Sequence, residues 1–395
     1  MNENDRRRLA WAYLSRVVEG PNAHVQALLN AGHDVERIVW GIKHREEWIG
    51  EGLLRQTRSR WDWERSAEDL AAVSALGGRL VTPDDREWPH AEFDHAFGFA
   101  QSGKSEHART YQEDAVQPHA LWVRGGMLAG LCAHSVGVVG TRAISRYGME
   151  ATRLLVSGLV EHHWVIVSGG ALGVDTVAHE QVIASGGATV VVSACGLDRV
   201  YPARNAGLFD RILALGGALV SEYPPGVAPA RHRFLTRNRL VAALSQGVVV
   251  MEAGWRSGAL NTLTWASGLG RVAMAVPGPI THINSLGCHE RIKDGRAQLV
   301  ASADDVRALL GAVGALDSAE QYELQFAASP IQGLSRSEMR VFDALPAESS
   351  TDETGLDAES VAQESGLPLP LTVHVLVDLA KRGLVVREGV MWRRG

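Results

Sequence analysis

Short apolar runs alternate with amphipathic segments between residues 125 and 312. The runs are VGVVG (136–140), WVIVSGG (164–170), ATVVVSACG (188–196), ALVSEYP (218–224), GVVVMEA (247–253) and RVAMAVPG (271–278). Continuous apolar strands separated by helices are typical of a parallel sheet that is covered on both faces. Because crossovers between parallel strands are right-handed, the pattern predicts an α/β domain with a doubly wound, Rossmann-like core.

The N-terminal part of the chain has the spacing of helices instead. Apolar residues recur on one helical face and are followed by a glycine that can stop the helix: Leu9, Tyr13, Leu14, Val17 and Gly20. We therefore expect an all-α accessory domain over residues 1–80 and an extended Rossmann-like domain over residues 81–312. Within residues 80–124 the pattern predicts a strand on either side of a polar stretch, with residues 101–117 as a polar insert in a loop.

The C-terminal part begins after a polar linker over residues 313–334. In residues 335–395, Ser335 and Glu338 have the spacing of a capping box at the start of a helix. Two further helical segments and a strand–turn–strand pattern follow, which is the outline of a winged-helix domain. Its third helix offers few polar side chains for reading DNA, so the pattern leaves open whether this domain binds DNA or protein. Those side chains are His374, Lys381 and Arg382.

Composition limits the kinds of partner and of chemistry. The 395 residues carry a formal net charge of -6, so any contact with nucleic acid has to come from a local basic cluster. The three cysteines, Cys132, Cys195 and Cys288, are widely separated and predict neither disulfides nor a zinc site. No signal peptide or membrane-spanning run is present in the sequence, and we expect a cytoplasmic protein without membrane insertion.

Glycine-, serine- and threonine-rich turns follow three of the predicted strands. The first contains Gly140, Thr141 and Arg142, the second contains Ser168 and Gly169, and the third leads through GWRSGALNT, which includes Ser257. Each turn opens onto a helix N-terminus, where free N–H groups attract an anion. Glycines that merely permit a tight turn would explain any one of them. They explain less well why Arg142 directly follows the first turn.

The stretch RHRFLTRNR (231–239) places four arginines around Phe234 and should project over the same edge of the sheet. We expect Arg231 and Arg233 to lie in a proline-containing loop before a helix and to face solvent or ligand. Asn238 and Arg239 could equally well point inward. Phe234 is either a core residue or a platform on which a base stacks in a basic groove. The cluster, which also includes Arg237, therefore predicts a surface that tracks phosphates.

Signatures of enzymes are weak. There is no Walker A motif, GVVGTR lacks the complete GxGxxG pattern, and no acidic residue ends the second strand. Asp175 and His179 lie one helical turn apart without a nucleophile, so they are interpreted as a capping aspartate and a packed histidine. Cys195 is interpreted as a small buried residue. The sequence therefore predicts no catalytic residue, no metal and no cofactor.

Many motifs occur in the order found in the DNA-processing protein A family (DprA, also called Smf), which the chain resembles over about residues 120–307. They are VVGTR, VSGGALGVDTVAH, GLDRVYPARN, SEYPPG, FLTRNRLVAALS, VVVMEAGWRSGALNT, AVPGPI and GCHERIKDG, preceded by VTPDDREWP and LWVRGG. The N-terminal region is similar in kind to the family's SAM-like or helix-hairpin-helix-like accessory domain. The C-terminal region is similar to its winged helix.

The resemblance implies a protein that binds single-stranded DNA without strong sequence preference. It also implies a homodimer formed through the Rossmann-like domain, and a role in protecting incoming DNA and loading the RecA recombinase onto it during natural transformation, without catalytic turnover. Three positions differ from the family's usual residues, namely Gly170, Leu172 and Leu235, where leucine, a basic residue and proline are common. The candidate DNA-binding residues are Gly140, Thr141, Arg142, Ser168, Gly169, Arg231, Arg233, Phe234, Arg237, Asn238, Arg239 and Ser257.

One alternative is a nucleotide-binding or phosphoribohydrolase-type enzyme of the lysine-decarboxylase-like Rossmann superfamily. Those enzymes use a PGGxGTxxE turn that carries a catalytic glutamate. Here SGGALGVDTVAH contains no glutamate, and the first one after it is Glu180. Glu252 could serve only if a ribose reached the fifth strand. We therefore favour DNA binding over this alternative.

Overall fold

The computed structural model describes residues 3–105, 114–311, 331, 333–346 and 355–395. The chain forms two compact units, residues 1–316 and residues 317–395. Residues 106–113 of the predicted polar insert and most of the predicted linker lie outside the described residues. None of the helices in the described ranges has the length and apolar character that crossing a bilayer requires.

A nine-stranded sheet forms the centre of the first unit, in the order β1-β2-β6-β5-β4-β3-β7-β8-β9. Strands β3 to β9 are mutually parallel, whereas β2 pairs antiparallel with β6 and β1 with β2. The predicted α/β fold with a mostly parallel sheet is therefore confirmed. The strands are β1 Gly78–Val81, β2 Leu121–Gly125, β3 Ser135–Val139, β4 Val165–Ser168, β5 Thr189–Ser193, β6 Ala218–Ser221, β7 Gly247–Val250, β8 Val272–Ala275 and β9 Gln298–Leu299.

The order of the strands creates a switch point between β3 and β7. From β3 the chain adds β4, β5 and β6 on one side, and then returns to place β7 on the other side of β3. Successive crossovers that diverge in this way leave a crevice beyond the carboxyl ends of the two central strands. A ligand site of the first unit is therefore expected at the ends of β3 and β7.

Helices cover both faces of this sheet. Valines of alternating register in β3 and β7 point to opposite sides. On one side they pack against α6, α11 and α12, and on the other against α8, α9 and α14. The helices of the first unit are α1 Glu3–Val17, α2 Ala23–Asn30, α3 Val35–His44, α4 Glu51–Gln56, α5 Ser66–Ala75, α6 His90–Gln101, α7 Leu128–Cys132, α8 Arg146–Glu161, α9 Val174–Ala184, α10 Ala206–Ala214, α11 Arg231–Ala243, α12 Ala259–Gly268, α13 Leu286–Lys293 and α14 Ala303–Leu310.

The N-terminal helices α1 to α5, which we call the helical layer, share a core with the sheet. Side chains of α1, α2 and α3 belong to one apolar cluster with Trp122 of β2, Val191 of β5 and Leu219 of β6. For this reason residues 1–80 do not form a compact unit separate from the sheet. Helix α6 lies between β1 and β2, where the sequence pattern predicted a polar stretch. It buries Phe93 and Phe97.

The second unit has its own core and is described by itself. Its helices are α15 Arg336–Asp343, α16 Ala358–Ser365 and α17 Leu369–Lys381. The strands β10 Leu356–Asp357, β11 Val385–Glu388 and β12 Met391–Arg394 form an antiparallel sheet in the order β10-β12-β11. The predicted capping box is present at the start of α15, where Ser335 and Glu338 bond each other's backbone N–H groups.

Candidate nucleic-acid interface

A groove of about 560 Å³ lies at the switch point. Its walls come from the ends of β3 and β4, from the loop that precedes α12, and from one face of α11. Eight of the twelve candidate residues line it, and they are Gly140, Arg142, Gly169, Arg231, Phe234, Arg237, Asn238 and Ser257. The structure thus brings together residues that are more than 100 positions apart in the sequence.

An aromatic ring close to two cations dominates the groove. The guanidinium carbon of Arg142 lies 5.5 Å from the ring centre of Phe234, and that of Arg237 lies 6.0 Å from it. The ring of Tyr201 approaches the Phe234 ring at 5.3 Å between centroids. Phe234 is only half-buried and Arg142 is exposed. A base that stacks on this ring would therefore meet positive charge at the same time.

Arg237 is a fixed cation in the floor of the groove. It is buried, and its Nη1 donates to the carbonyl oxygen of Gly169 at 2.6 Å. A side chain at Gly169 would displace this guanidinium from its present position. Burial lowers the pKa of Arg237, and the nearby carboxyl of Asp175 opposes that effect. Burial likewise raises the pKa of Asp175, against the charge of Arg237.

Arg239 does not reach the groove. It is fully buried, and its Nη2 lies 2.5 Å from Oε1 of Glu222, the residue that follows β6. Its guanidinium also lies 5.8 Å from the ring centre of Phe97 in α6. At 3.6 residues per turn, Arg239 points about 120° away from the face of α11 that lines the groove. The side chain of Arg239 therefore points inward, which is one of the two orientations left open by the sequence. The prediction that Arg239 contacts DNA is not supported.

Arg233 also faces away from the groove, towards the helical layer. Helix α11 begins at Arg231, so both Arg231 and Arg233 lie in its first turn and the prediction of a preceding loop is wrong for them. Nε of Arg233 donates to Oε1 of Glu19 at 2.6 Å, and Nη1 of Arg60 donates to the other oxygen of the same carboxylate at 2.8 Å. Arg233 is therefore committed to an intramolecular pair.

Glu19 is thus shared by two arginines. Partial burial acts to raise the pKa of Glu19, but the hydrogen bonds from Arg60 and Arg233 outweigh it and hold that pKa below its usual value. The carboxylate consequently stays ionised at neutral pH. It ties the loop between α1 and α2 to the start of α11, which is the helix that carries the groove.

The remaining two candidates shape the turns. The backbone N–H of Thr141 donates to the carbonyl oxygen of Glu252 at 2.7 Å, which joins the ends of β3 and β7. Ser168 is buried, and its hydroxyl donates to the carbonyl oxygen of Val138 at 2.6 Å. Neither side chain lines the groove. Both residues hold the backbone in the conformation in which Gly140 and Gly169 line the groove.

His179 and Cys195 have the structural roles expected from the sequence, and Glu252 has a structural role as well. His179 is buried and its Nδ1 lies 2.8 Å from the hydroxyl oxygen of Thr189, while burial lowers its pKa to about 3. Cys195 is buried, and burial raises its pKa to about 11. Glu252 is buried and accepts the N–H of Ser145 at 2.9 Å. None of these three side chains lines the groove.

Among the lining residues that were not assigned to the site from the sequence, three have polar side chains, namely Tyr201, Asp175 and Thr262. Asp175 was interpreted as a capping aspartate and Tyr201 occurs in the motif GLDRVYPARN, but neither was assigned to the site. The motif GLDRVYPARN contained a usable signal for Tyr201, because this loop also follows a strand of the parallel sheet. Thr262 lies in the first turn of α12, which begins directly after the groove residues Ser257 and Gly258.

The fold and the groove together define a Rossmann-type protein with a cationic, ring-lined groove at the switch point of its sheet. Residues 79–311 match the family described as DNA recombination-mediator protein A. A putative DNA processing protein DprA of Mycobacterium tuberculosis is 42% identical over 97% of this chain and 93% of its own length. The chain belongs to this family, as its motifs predicted, and its role is in DNA processing.

Two further comparisons agree. Protein Smf of Escherichia coli is 36% identical over 68% of this chain and 69% of its own length. The crystal structure of DNA processing protein A from Streptococcus pneumoniae superimposes with a TM-score of 0.60 and 29% identity, and covers 78% of this chain and 98% of that one. The phosphoribohydrolase alternative is not favoured by these comparisons.

Proposed function

We propose that this protein binds single-stranded DNA in the groove, without catalysis, and passes the strand to a RecA recombinase in the cytoplasm. The observation that carries the proposal is the exposed Arg142 above the half-buried ring of Phe234. Groups that bind single strands without sequence preference combine a positive groove with aromatic platforms. The description of the family as recombination mediators supports the transfer to RecA.

Each wall of the groove has a distinct task in this proposal. Arg142 and Arg231 are exposed and attract phosphates, whereas Phe234 stacks with a base and Arg237 supplies a fixed charge beneath it. Helix α12 begins beside Gly258, and the positive end of its dipole adds partial positive charge at the rim. Because every base has an aromatic face and every nucleotide a phosphate, this set of contacts does not select a sequence.

Affinity measured as a function of salt tests the groove. Arg142→Ala and Arg231→Ala should each weaken binding of a single strand and reduce the slope of log K against log [salt] by about 1, because each removes one phosphate contact. Phe234→Ala should weaken binding by about 1–3 kcal/mol with nearly the same slope, and Phe234→Tyr should retain most of the affinity. Fluorescence anisotropy at several salt concentrations measures both quantities.

Arg211→Ala provides the matched control. Arg211 is an exposed arginine of α10 and does not line the groove, so this variant should bind like the parent protein. Duplex DNA of the same length should bind more weakly than the single strand. If both groove variants keep the slope of the parent protein, the groove does not hold the strand.

We also propose a homodimer, formed through an apolar patch on the Rossmann-like unit. The segment after β8 exposes Ile280, Ile283 and Leu286. The loop after β7 exposes Trp255, which follows Gly254 beside the backbone of Ile283. A cluster of large exposed apolar side chains is typical of a protein–protein interface. The family resemblance, which implies a dimer through this domain, supports a second copy of the chain as the partner at this patch.

Light scattering tests the dimer with two charge-introducing variants of equal exposure. Ile283 is 74% exposed in the patch, and Leu154 is 73% exposed on α8, outside it. Ile283→Glu should reduce the molar mass in solution to that of one chain, because it places a carboxylate in an apolar contact. Leu154→Glu should leave the mass at twice that of one chain. Equal masses for the two variants would contradict this placement of the interface.

A further inference from the structure

A second ring under an arginine lies outside the groove, on the helical layer. Trp61 and Trp63 are exposed in the turn between α4 and α5. The guanidinium carbon of Arg60 lies 5.6 Å from the ring centre of Trp63, compared with 5.5 Å between Arg142 and Phe234 in the groove. The N–H of Trp63 donates to the carbonyl oxygen of Arg60 at 2.9 Å, which fixes the two residues in one turn.

A charged bridge connects this second ring with the groove. Arg60 and Arg233 bind the two oxygens of Glu19, and Arg233 immediately precedes Phe234 in α11. His232 also approaches the carboxylate, with Nε2 at 3.5 Å from Oε1. Two guanidinium groups face one carboxylate, so the bridge carries net positive charge. The exposed ring of Trp63 and the half-buried ring of Phe234, each close to an arginine, therefore lie next to opposite ends of this bridge.

The charges around Trp63 are close to balanced. Residues 58–65 contain three arginines and two acidic residues, Asp62 and Glu64. Glu64 pairs with Lys43, and two of the arginines are paired as well, Arg60 with Glu19 and Arg65 with Glu68. Stacking rather than charge is therefore the main contribution that this turn can make. Its cations are sufficient to accompany the phosphates of a strand that stacks there.

We propose that Trp63 is a second base-stacking site, used by the single strand after it leaves the groove and crosses the Arg60–Glu19–Arg233 bridge. The inference rests on the proposed function of the groove. Its ligand is a nucleobase of an unpaired strand that is long enough to occupy both rings, and the site has no sequence preference because any base can stack. A short strand fills the groove alone and does not reach Trp63.

The length of the oligonucleotide separates the two sites. We would measure the anisotropy of labelled oligothymidines of about 5 and about 16 nucleotides, which bracket common site sizes. Trp63→Ala should weaken binding of the longer strand on the order of tenfold, with nearly the same salt slope, and leave the shorter strand unaffected. Trp63→Phe should retain most of the affinity, since it keeps an aromatic ring.

Trp40 supplies the matched control. It is 50% exposed on α3 of the same helical layer, compared with 45% for Trp63, but it stacks on His44. Trp40→Ala should leave both lengths unaffected. The second site is excluded if Trp63→Ala affects neither length or both equally, or if Trp40→Ala matches it. Phe234→Ala reports on the groove independently, because it should weaken both lengths; no effect on either would instead refute the groove.

Discussion

The four arginines of α11 lie within nine residues, yet each side chain has a different environment. Arg231 is exposed on the groove, Arg233 pairs with Glu19, Arg237 lies buried in the floor, and Arg239 pairs with Glu222 inside the molecule. The basic cluster therefore combines residues that can attract a strand with residues that hold the helix in place. A variant at each position should consequently change a different property.

Arg239→Ala should destabilise the protein rather than weaken its contact with DNA. Without this arginine the carboxylate of Glu222 is left buried and unpaired, and breaking such a pair costs about 3–5 kcal/mol of unfolding free energy. Urea unfolding monitored by circular dichroism measures the loss. Arg231→Ala is the control from the same helix, and its exposed side chain should change the unfolding free energy by only about 0.5 kcal/mol.

The unpaired charge can be separated from the lost volume. Replacing both partners, as in Arg239→Met with Glu222→Leu, should recover much of the stability, because no buried charge then remains. At a temperature at which Arg239→Ala is still folded, its affinity for a single strand should stay close to that of the parent protein. A large loss of affinity without a loss of stability would restore Arg239 as a DNA contact.

At the scale of elements, the sequence predicted the strands well and the partners of the helices less well. The apolar runs correspond to β3 to β8 because a strand buried on both faces has to be apolar along its length. Glycines at strand ends located the groove, since the carboxyl ends of parallel strands share one edge of the sheet. These signals are local in the sequence, so a single sequence is sufficient to predict the strands and the position of the groove.

The orientation of the arginines depends on residues far away in the chain. Glu19 and Arg233 are 214 positions apart, and no local pattern indicates that they meet. The 3.6-residue period of α11 would have separated Arg231 and Phe234 from Arg233 and Arg239, had the helix been predicted to begin at Arg231. Helix α6 was missed because its apolar residues Phe93 and Phe97 are embedded in a polar stretch.

At the scale of the whole molecule, an acidic protein presents a cationic groove. The net charge of -6 repels a polyanion at long range, so binding has to come from contacts at the groove that operate over a Debye length of about 10 Å or less. This distribution limits nonspecific attachment to duplex DNA. It also makes the affinity for a single strand depend on the few arginines that face the groove.

The division into two compact units predicts which part of the chain is sufficient for binding. The second unit has its own core, and all residues that line the groove belong to the first. Residues 1–316 alone should therefore fold, with a thermal midpoint close to that of the full chain, and should bind a single strand with unchanged salt slope. Calorimetry and anisotropy on the shortened protein measure these properties.

Removing the helical layer should have the opposite effect. Its helices share a core with Trp122, Val191 and Leu219 of the sheet, so a chain that starts at residue 77 exposes apolar surface that is now buried. It also loses Glu19, the partner that holds Arg233 at the start of the groove helix. We expect this second truncation to aggregate or to unfold at a much lower temperature. If instead it binds DNA normally while residues 1–316 do not, the binding surface lies in the second unit and the groove at the switch point has another purpose.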